Sequence, residues 1–253
     1  MNWIGLWTLI RREVGRFFSV YRQTVLPGLI SSALYILVFG FTLEQRISEI
    51  QGVSYTWFIL PGLIMMNTLT NATSNTASSM LQMKLLQQLP DLLTAPLSGF
   101  EIALSYIIGG TVRGLVNGTL VLLLGVLLIK LPVNDPVGTI AFIFLVSWAF
   151  SSMGLVLGQL ADSWDQLAMM QNFFLTPLSF LGGIFYSIQM LPEWAQSLSF
   201  FNPIYYMING IRYTILGISD SSISFSIWMA VALTIIFSTT AMLLMQSGKK
   251  IKQ

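Results

Sequence analysis

The fold is decided by the stretch LGGIFYSIQMLPEWAQSLSFFNPIYYMINGIR, residues 181–212. It is too apolar for a soluble loop, yet Pro192 and Pro203 interrupt it, and the residue before a proline is disfavoured in the helical region. The pattern predicts a re-entrant helical hairpin over residues 188–212. Because unpaired backbone groups are costly in hydrocarbon, such a hairpin needs other helices around it. We therefore expect the rest of the chain to form a helix bundle.

The composition agrees with a bundle in a membrane. Of 253 residues, 55% are hydrophobic and only 9% are charged, whereas a soluble domain carries roughly 25% charged residues. The net charge of +2 is small and is spread over the loops, which argues against nucleic acid as a partner. The chain has no cysteine and no histidine, so disulfides and thiol chemistry are excluded and few ways to bind a transition metal remain. We predict an all-α polytopic membrane protein that forms one domain over residues 1–253.

The N-terminal residues 2–23 are predicted to form an amphipathic helix in the membrane interface. Aromatic and aliphatic residues fall on one side at 100° per residue, and arginines fall on the other. The apolar side contains Trp3, Trp7, Ile10, Val14, Phe17, Phe18 and Tyr21. The alternative is that this segment is simply the flank of the first membrane span.

Six spans are predicted from runs that approach the ~20 apolar residues needed to cross hydrocarbon. They cover residues 24–43, 55–76, 102–129, 137–159, 166–186 and 223–246. Lysine and arginine favour the cytoplasmic side of a membrane protein. With both termini cytoplasmic, eight of these residues lie inside and three outside. The inner residues are Arg11, Arg12, Arg16, Arg22, Lys84, Lys249, Lys250 and Lys252, and the outer ones are Arg46, Lys130 and Arg212. The hairpin then faces the exterior.

Polar residues in the spans are candidates for a translocation path. Asn67, Asn71 and Asn75 recur at every fourth position and therefore share one helix face. Arg113 lies in the third span, where an arginine suggests function. Two alternatives stay open for the asparagines: interhelical hydrogen bonds, or a helix that has already left the membrane by Asn71. Arg113 could instead reach the headgroups, or pair with a carboxylate such as Asp162.

The loop after the second span is predicted to bind a partner. Leucines recur at helical spacing over residues 84–101 and give an apolar face exposed to the cytosol, namely Leu85, Leu86, Leu89, Leu92 and Leu93. Such a face is typical of a docking site. A helix lying flat on the membrane is the alternative.

An enzyme is not predicted. The sequence lacks a Gly-x4-Gly-Lys-Ser/Thr phosphate loop, and it has no histidine or cysteine to act as base or nucleophile. The spans also hold almost no carboxylates, which argues against a proton-coupled transporter. If the protein moves a solute uphill, the energy must come from another polypeptide.

Taken together, these features resemble the ABC-2 type transporter permeases, in particular the YadH-type bacterial inner-membrane permeases. More distant similarity extends to exporters of polysaccharide and nodulation lipooligosaccharide. The resemblance covers essentially the whole chain. It is carried by FILPGLIMM (58–66), LLTAP (92–96), GGTVRGL (109–115), LTPLSFLGGIFYS (175–187), LP-x-W (191–194) and NPIYYMINGIRY (202–213).

The resemblance implies a role for each special segment. Residues 2–23 are similar to the connecting helix, residues 84–97 to the coupling helix that docks on an ATPase, and residues 188–212 to the external re-entrant hairpin. The implied coupling residues are Lys84, Leu85, Leu86, Leu89, Asp91, Leu92 and Leu93. Pro90 departs from the family pattern and suits a first helical turn. We therefore expect the coupling helix of this chain to be shorter than that of the family, or to start later.

The resemblance further implies a permease subunit of an ATP-driven exporter in a bacterial inner membrane. Two copies would pair with two separate ATPase subunits, which bind ATP and magnesium, and this chain binds no cofactor. Other expectations are contact with membrane lipids and an external gate formed by Trp194, Phe201 and Tyr205. A lipid-linked, glycan or amphipathic substrate is favoured slightly over a hydrophobic drug. A passive channel, or a scaffold that binds a different partner, is the alternative function.

Overall fold

The computed structural model describes residues 2–40, 42, 44 and 49–247, and within these ranges all side chains except that of Leu93. Arg46, Lys249, Lys250 and Lys252, which contributed to the predicted orientation, lie outside the described residues. Helices dominate this part of the chain. The prediction of a helical fold is therefore confirmed.

The N-terminal third begins with α1 (Trp3–Ser19), α2 (Tyr21–Thr24) and α3 (Leu26–Tyr35), and α3 continues into a π-helical turn at Ile36–Gly40. A small antiparallel hairpin follows, made of β1 (Glu49–Ile50) and β2 (Val53–Ser54). Gln51 and Gly52 join the two strands, and both have positive φ. Two successive positive φ values are the pattern of a type I′ turn, one of the two turns favoured in two-residue hairpins.

The remaining helices are longer on average. They are α4 (Tyr55–Leu85), α5 (Leu89–Thr94), α6 (Gly99–Ile129), α7 (Pro136–Leu160), α8 (Trp164–Leu181), α9 (Glu193–Phe200), α10 (Pro203–Leu216) and α11 (Ile223–Ser247). A 3₁₀ turn at Ile188–Met190 precedes α9. Side chains cap several of these helices. Ser98 and Glu101 form a reciprocal capping box at the start of α6.

By length and composition, four helical segments among the described residues could cross a membrane: Tyr21–Gly40, Gly99–Ile129, Pro136–Leu160 and Ile223–Ser247. They correspond to the predicted spans 24–43, 102–129, 137–159 and 223–246. The other two predicted spans, 55–76 and 166–186, fall on α4 and α8. The number of apolar spans found in this way is thus four rather than six.

Helix α4 lies at the centre of the bundle and is buried along most of its length. Glycines on α6 and α7 let these helices approach it closely. An added Cβ at Gly114 would lie 2.8 Å from the Ala72 side chain, and one at Gly158 would lie 2.7 Å from the Ala77 carbonyl oxygen. Small residues at such crossings allow backbone-to-backbone packing.

Consecutive long helices such as α6 and α7 run in opposite directions, since Gly110 faces Ser151 and Gly118 faces Ile143, and the helix termini gather at two ends of the bundle. At one, here called the α1 end, an apolar cluster joins α1, α5 and the nearby ends of α4, α6, α7 and α11. Its buried members include Leu9, Met80, Leu89, Leu92, Ile102, Leu155 and Met245. At the other, the hairpin end, α9 and α10 lie near the strands. The predicted special segments thus occupy opposite ends of the protein.

The aromatic side of α1 is divided between two environments. Phe17 is buried together with Leu6 and Leu9, whereas Trp3 and Trp7 are largely exposed on the outer side of the helix. The exposed tryptophans fit the predicted contact with a membrane interface. The predicted division into an apolar and a polar side did not account for Glu13, a charged residue that is buried.

Candidate functional site

The candidate site is built on the polar half of α4, NTLTNATSNTASS, residues 67–79. One side of this segment is fixed to α7: the Thr73 hydroxyl donates to the Phe150 carbonyl at 3.2 Å, and the Thr76 hydroxyl donates to the Ser151 carbonyl at 2.8 Å. These bonds satisfy polar groups that would be costly to leave unpaired in a membrane. They also fix the orientation of the other side, which carries the asparagines.

The three asparagines form a ladder that is tied to α1, α3 and α6. Asn67 donates to the Gly28 carbonyl at 3.1 Å, and Asn71 donates to the side-chain oxygen of Asn67 at 2.8 Å. The side-chain oxygen of Asn71 in turn accepts hydrogen bonds from Arg113, whose Nε and Nη2 both lie 3.1 Å from Asn71 Oδ1. The structure therefore brings Asn67, Asn71 and Arg113 together by interhelical hydrogen bonds, one of the alternatives left open by the sequence.

Asn75 differs from the other two asparagines because it is completely buried. Its carbonyl and side-chain oxygens accept hydrogen bonds from Nη2 of Arg16, at 2.8 and 3.1 Å. The lowest rung of the ladder thus belongs to the contact between α1 and α4. The suggestion that Arg113 pairs with Asp162 is wrong, since the Asp162 carboxylate lies 3.2 Å from Lys84 Nζ.

A cavity of about 310 Å³ lies beside the upper part of the ladder, between α3, α4 and Arg113. Its lining is mixed, with hydroxyl and amide groups alongside Leu63, Met66 and Tyr35. The polar members are Gln23, Thr24, Ser31, Ser32, Asn67, Thr70, Asn71 and Arg113. Three of the four predicted path residues, Asn67, Asn71 and Arg113, therefore face one cavity, and Asn75 does not.

A second polar centre, at the α1 end, was missed in the sequence. Glu13 is 1% exposed, and its carboxylate accepts from Arg12 at 2.9 Å and from the Ser79 hydroxyl at 2.7 Å. Gly109 makes room for it, since a Cβ there would lie 2.6 Å from the Glu13 Cβ. The available signal was a single carboxylate among the arginines of an amphipathic helix.

Arg12 extends this centre to α6. Its Nη2 lies 3.0 Å from the Tyr106 hydroxyl, and its guanidinium lies over the Tyr106 ring. Burial alone would lower the pKa of Arg12, but the adjacent Tyr106 and Glu13 outweigh that effect, and the pKa is raised above its ordinary value. Arg12 is therefore cationic under all physiological conditions.

The predicted coupling segment is divided between two helices. Lys84 and Leu85 end α4, and Lys84 Nζ donates to the carbonyl oxygens of Gln159 and Ala161 at 3.0 and 2.7 Å. After a turn, α5 begins at Leu89 with Pro90 in its first turn. The helix is thus shorter than residues 84–97, as the position of the proline suggested.

The prediction of one exposed leucine face was wrong. Leu89 and Leu92 are only 2% and 8% exposed, because they pack into the apolar cluster of the α1 end. Leu85 and Leu86, in contrast, are 45% and 56% exposed. Asp91 is exposed as well, and the side chain of Leu93 lies outside the described residues.

The three predicted gate residues do not form one cluster. Trp194 on α9 and Phe201 after it are 70% and 87% exposed, whereas Tyr205 on α10 is 1% exposed. The Tyr205 ring instead meets Phe200 and Tyr206 edge-on, with centroid distances of 5.8 and 4.9 Å. Whether these residues form a gate stays a prediction.

A buried ion pair at the hairpin end was also missed. Arg212 on α10 donates to the Asp220 carboxylate at 2.9 Å and to the Gly183 carbonyl at 2.7 Å, and it lies 3.9 Å above the Phe58 ring. Asp220 accepts two further hydrogen bonds, from Ser187 at 2.7 Å and from Gln51. The Asp220 carboxylate, shortly before α11, is therefore bonded to Arg212 on α10, to Ser187 before the 3₁₀ turn, and to Gln51 in the turn between the two strands.

A bundle of long apolar helices that carries polar side chains inward, with a cavity between helices, is an architecture typical of membrane transport proteins. The chain belongs to the ABC-2 type transporter family, whose sequence profile matches residues 5–216. It is a transport permease of that family, a class of transmembrane subunits that generally lack an ATPase of their own and work with an ABC ATPase.

Individual relatives agree with this assignment. The chain is 37% identical over 252 residues to the inner membrane transport permease YadH of Escherichia coli (strain K12), which covers 100% of this chain and 98% of that protein. It is 27% identical over 227 residues to nodulation protein J of Rhizobium leguminosarum bv. viciae, covering 86% and 83% of the two chains. Together with the apolar helices, these likenesses indicate a multi-pass protein of a bacterial inner membrane.

Proposed function

We propose that this chain is the transmembrane subunit of an ATP-driven exporter that moves a lipid-linked, glycan or other amphipathic substrate outward. Two copies would combine with two ATPase subunits, which bind ATP and magnesium. The observation that carries the proposal is the turn between α4 and α5. Leu86 in this turn is exposed, whereas Leu89 and Leu92, which follow on α5, pack into the apolar cluster of the α1 end. Export of a hydrophobic drug by the same subunit, or a passive channel, are the alternatives.

In the proposed membrane arrangement, α4 and α8 also cross the bilayer, which gives six spans with both termini in the cytoplasm. Helix α4 has 31 residues and α8 has 18, so at 1.5 Å per residue they are about 46 and 27 Å long. The hydrocarbon core is about 30 Å thick. The low hydropathy of α4 is accommodated because its polar groups pair inside the protein.

The segment from α9 to α10 is proposed to be the external re-entrant hairpin. Its helices have 8 and 14 residues, or about 12 and 21 Å, and neither is long enough to cross the bilayer. Asn202 supports the break between them: its side chain caps Ile204 at 3.0 Å and donates to the Leu178 carbonyl at 2.6 Å. In this position Trp194 and Phe201 lie at the external mouth, and Tyr205 is buried against Phe200 and Tyr206.

The coupling role is proposed to be shared between two kinds of residue. Leu85, Leu86 and Asp91 are exposed and form the surface for the ATPase. Leu89 and Leu92 transmit a displacement of α5, since they pack with residues of α1, α6 and α11. Because packed cores respond as units, α5 would move these helices rather than bend separately.

Co-purification tests this proposal. The tagged permease is co-expressed with the ABC ATPase encoded next to it, or with each ABC ATPase of the same genome in turn. Replacing Leu85 and Leu86 with aspartate should reduce the recovered ATPase at least tenfold while membrane insertion is unchanged. The matched control is Leu198→Asp, an exposed leucine at the hairpin end, which should leave recovery unchanged.

Transport measurements separate the exporter from a passive channel. In proteoliposomes that contain both subunits, ATP hydrolysis should be required for substrate movement. Flux that is independent of ATP would favour the channel.

In the co-purification experiment, equal recovery of the ATPase with the wild-type permease and with the double aspartate variant would overturn the assigned docking surface.

A further inference from the structure

The cavity beside the asparagine ladder contains a cation without a counter-ion. Arg113 has no carboxylate within ion-pair distance in the part of the chain that the structure describes. Its Nε and Nη2 are engaged by the neutral oxygen of Asn71, and the guanidinium lines the cavity. A positive charge held inside a membrane protein needs an anionic partner or access to water.

The surroundings strengthen the positive potential at this point. Arg16 is bonded to Asn75, one helical turn from the Asn71 that holds Arg113, and a turn is about 5.4 Å. Arg12 lies one turn further along α1. Glu13 forms ion pairs with Arg12 and Arg16, so one carboxylate is shared between these two guanidinium groups. The region therefore carries an excess of positive charge at physiological pH.

Neutral donors face the same cavity and lack partners. The hydroxyls of Ser31 and Thr70 and the amide of Gln23 line it, and none of the three side chains is hydrogen-bonded to another described residue. All three residues are exposed, and each contributes to the lining of the cavity. Such groups are satisfied by water or by a ligand that offers several acceptor oxygens.

We propose that this cavity binds a phosphate-ester anion. A tetrahedral phosphate presents enough oxygens for both the Arg113 guanidinium and several hydroxyl donors, whereas a carboxylate presents two in one plane. The cavity volume of about 310 Å³ accommodates a headgroup of this size. Leu63, Met66 and Tyr35 form its apolar wall, which suits the chain of a phosphate-bearing amphiphile. The proposal rests on the proposed function in placing this cavity on the transport path.

Native mass spectrometry of the purified full-length permease, without any ATPase, tests the site. The probes are dioleoyl phosphatidic acid and dioleoylglycerol, which has the same acyl chains but no phosphate, added separately in a neutral detergent. The wild-type chain should bind phosphatidic acid about tenfold more tightly than dioleoylglycerol, the effect expected of one charge-assisted hydrogen bond. Arg113→Gln should abolish that preference, and Arg113→Lys should retain part of it.

The matched control is Arg22→Gln. Arg22 is an exposed arginine close in sequence to the cavity lining, and its Nε bonds to the Tyr21 hydroxyl rather than to the ladder. It should change the preference less than twofold. An equal loss in this variant, or a retained preference in Arg113→Gln, would overturn the proposal. If Arg113→Gln does not fold, the double variant Ser31→Ala with Thr70→Val replaces it, and at least threefold weaker binding of phosphatidic acid is required.

A soluble probe distinguishes two sources of the same chemistry. Displacement of bound phosphatidic acid by millimolar glycerol phosphate would support a free phosphate ester as ligand, and lack of displacement would support a phosphate-bearing amphiphile. Since no ATPase is present, failure of lipid binding overturns this inference alone. Failure of the ATPase to co-purify overturns the proposed function alone.

Discussion

Nη1 of Arg212 lies 2.9 Å from Oδ2 of Asp220, and both side chains are about 1% exposed. Gly217, with φ of 75°, ends α10 between them and turns the chain back so that the two side chains meet. A buried pair of this kind contributes little compared with apolar residues of the same size, but the loss of one partner leaves an uncompensated charge. The integrity of the hairpin end therefore depends on both residues being present.

Asp220→Asn should destabilise the purified permease strongly. The expected loss is about 3–5 kcal/mol, since the Arg212 charge stays buried without its partner. Thermal unfolding in detergent measures it. The control is Asp162→Asn, which removes the largely exposed partner of Lys84 and should cost at most about 1 kcal/mol. Similar effects of the two substitutions would contradict the buried pair.

Leu89→Ala should lower stability, whereas Leu85→Ala should not. Leu89 fills the apolar cluster of the α1 end, and a buried leucine truncated to alanine costs about 2–5 kcal/mol. The exposed Leu85 should change stability by less than about 0.5 kcal/mol. Thermal unfolding together with ATPase recovery separates packing from docking. A stable Leu89→Ala variant would refute the buried position of α5.

Gly154→Ala should be destabilising because its Cβ would overlap the Thr73 carbonyl oxygen on α4. Forced overpacking of this kind costs about 1–3 kcal/mol. Gly15 offers the matched control, since nothing lies within 4 Å of a Cβ built there. Gly15→Ala should stabilise α1 by up to about 1 kcal/mol. Opposite signs in the unfolding temperature are expected, and equal signs would contradict the close crossing of α4 and α7.

Alanine at both Trp194 and Phe201 should increase leak of small solutes through proteoliposomes that contain the permease. These two side chains are the exposed aromatics at the proposed external mouth. Trp228→Ala is the control, because Trp228 is equally exposed but lies on α11. A leak that is the same in all three preparations would place the gate elsewhere.

The sequence predicted the apolar helices well and the polar contacts poorly. Predicted spans 102–129 and 223–246 differ from α6 and α11 by three residues or fewer, because uninterrupted apolar runs leave little choice. The second span was predicted to end at residue 76, but α4 continues to Leu85. Its serine and threonine hydroxyls bond to carbonyls of its own previous turn and of α7, so polarity does not end the helix.

Pairings across the fold could not be predicted in this way. The Glu13 bond to Ser79 joins residues 66 positions apart, and no local pattern identifies such a partner. The leucine spacing of residues 85–93 did predict an apolar face, but spacing cannot tell whether a face meets another protein or the same chain. The ladder of asparagines was predicted as one face, and the structure added Arg113 and Arg16 as its partners.

The bonds from Thr73 and Thr76 to α7 also bear on how the protein is made. Their acceptors, the carbonyls of Phe150 and Ser151, follow 77 and 75 residues later in the chain. At about 5–20 residues per second, a ribosome needs roughly 4–15 seconds to reach them. During that interval the polar half of α4 has no partner from α7 and is a poor substrate for release into lipid. If α4 crosses the bilayer as proposed, its membrane integration should wait for α7, so that the two helices leave the insertion machinery as a pair.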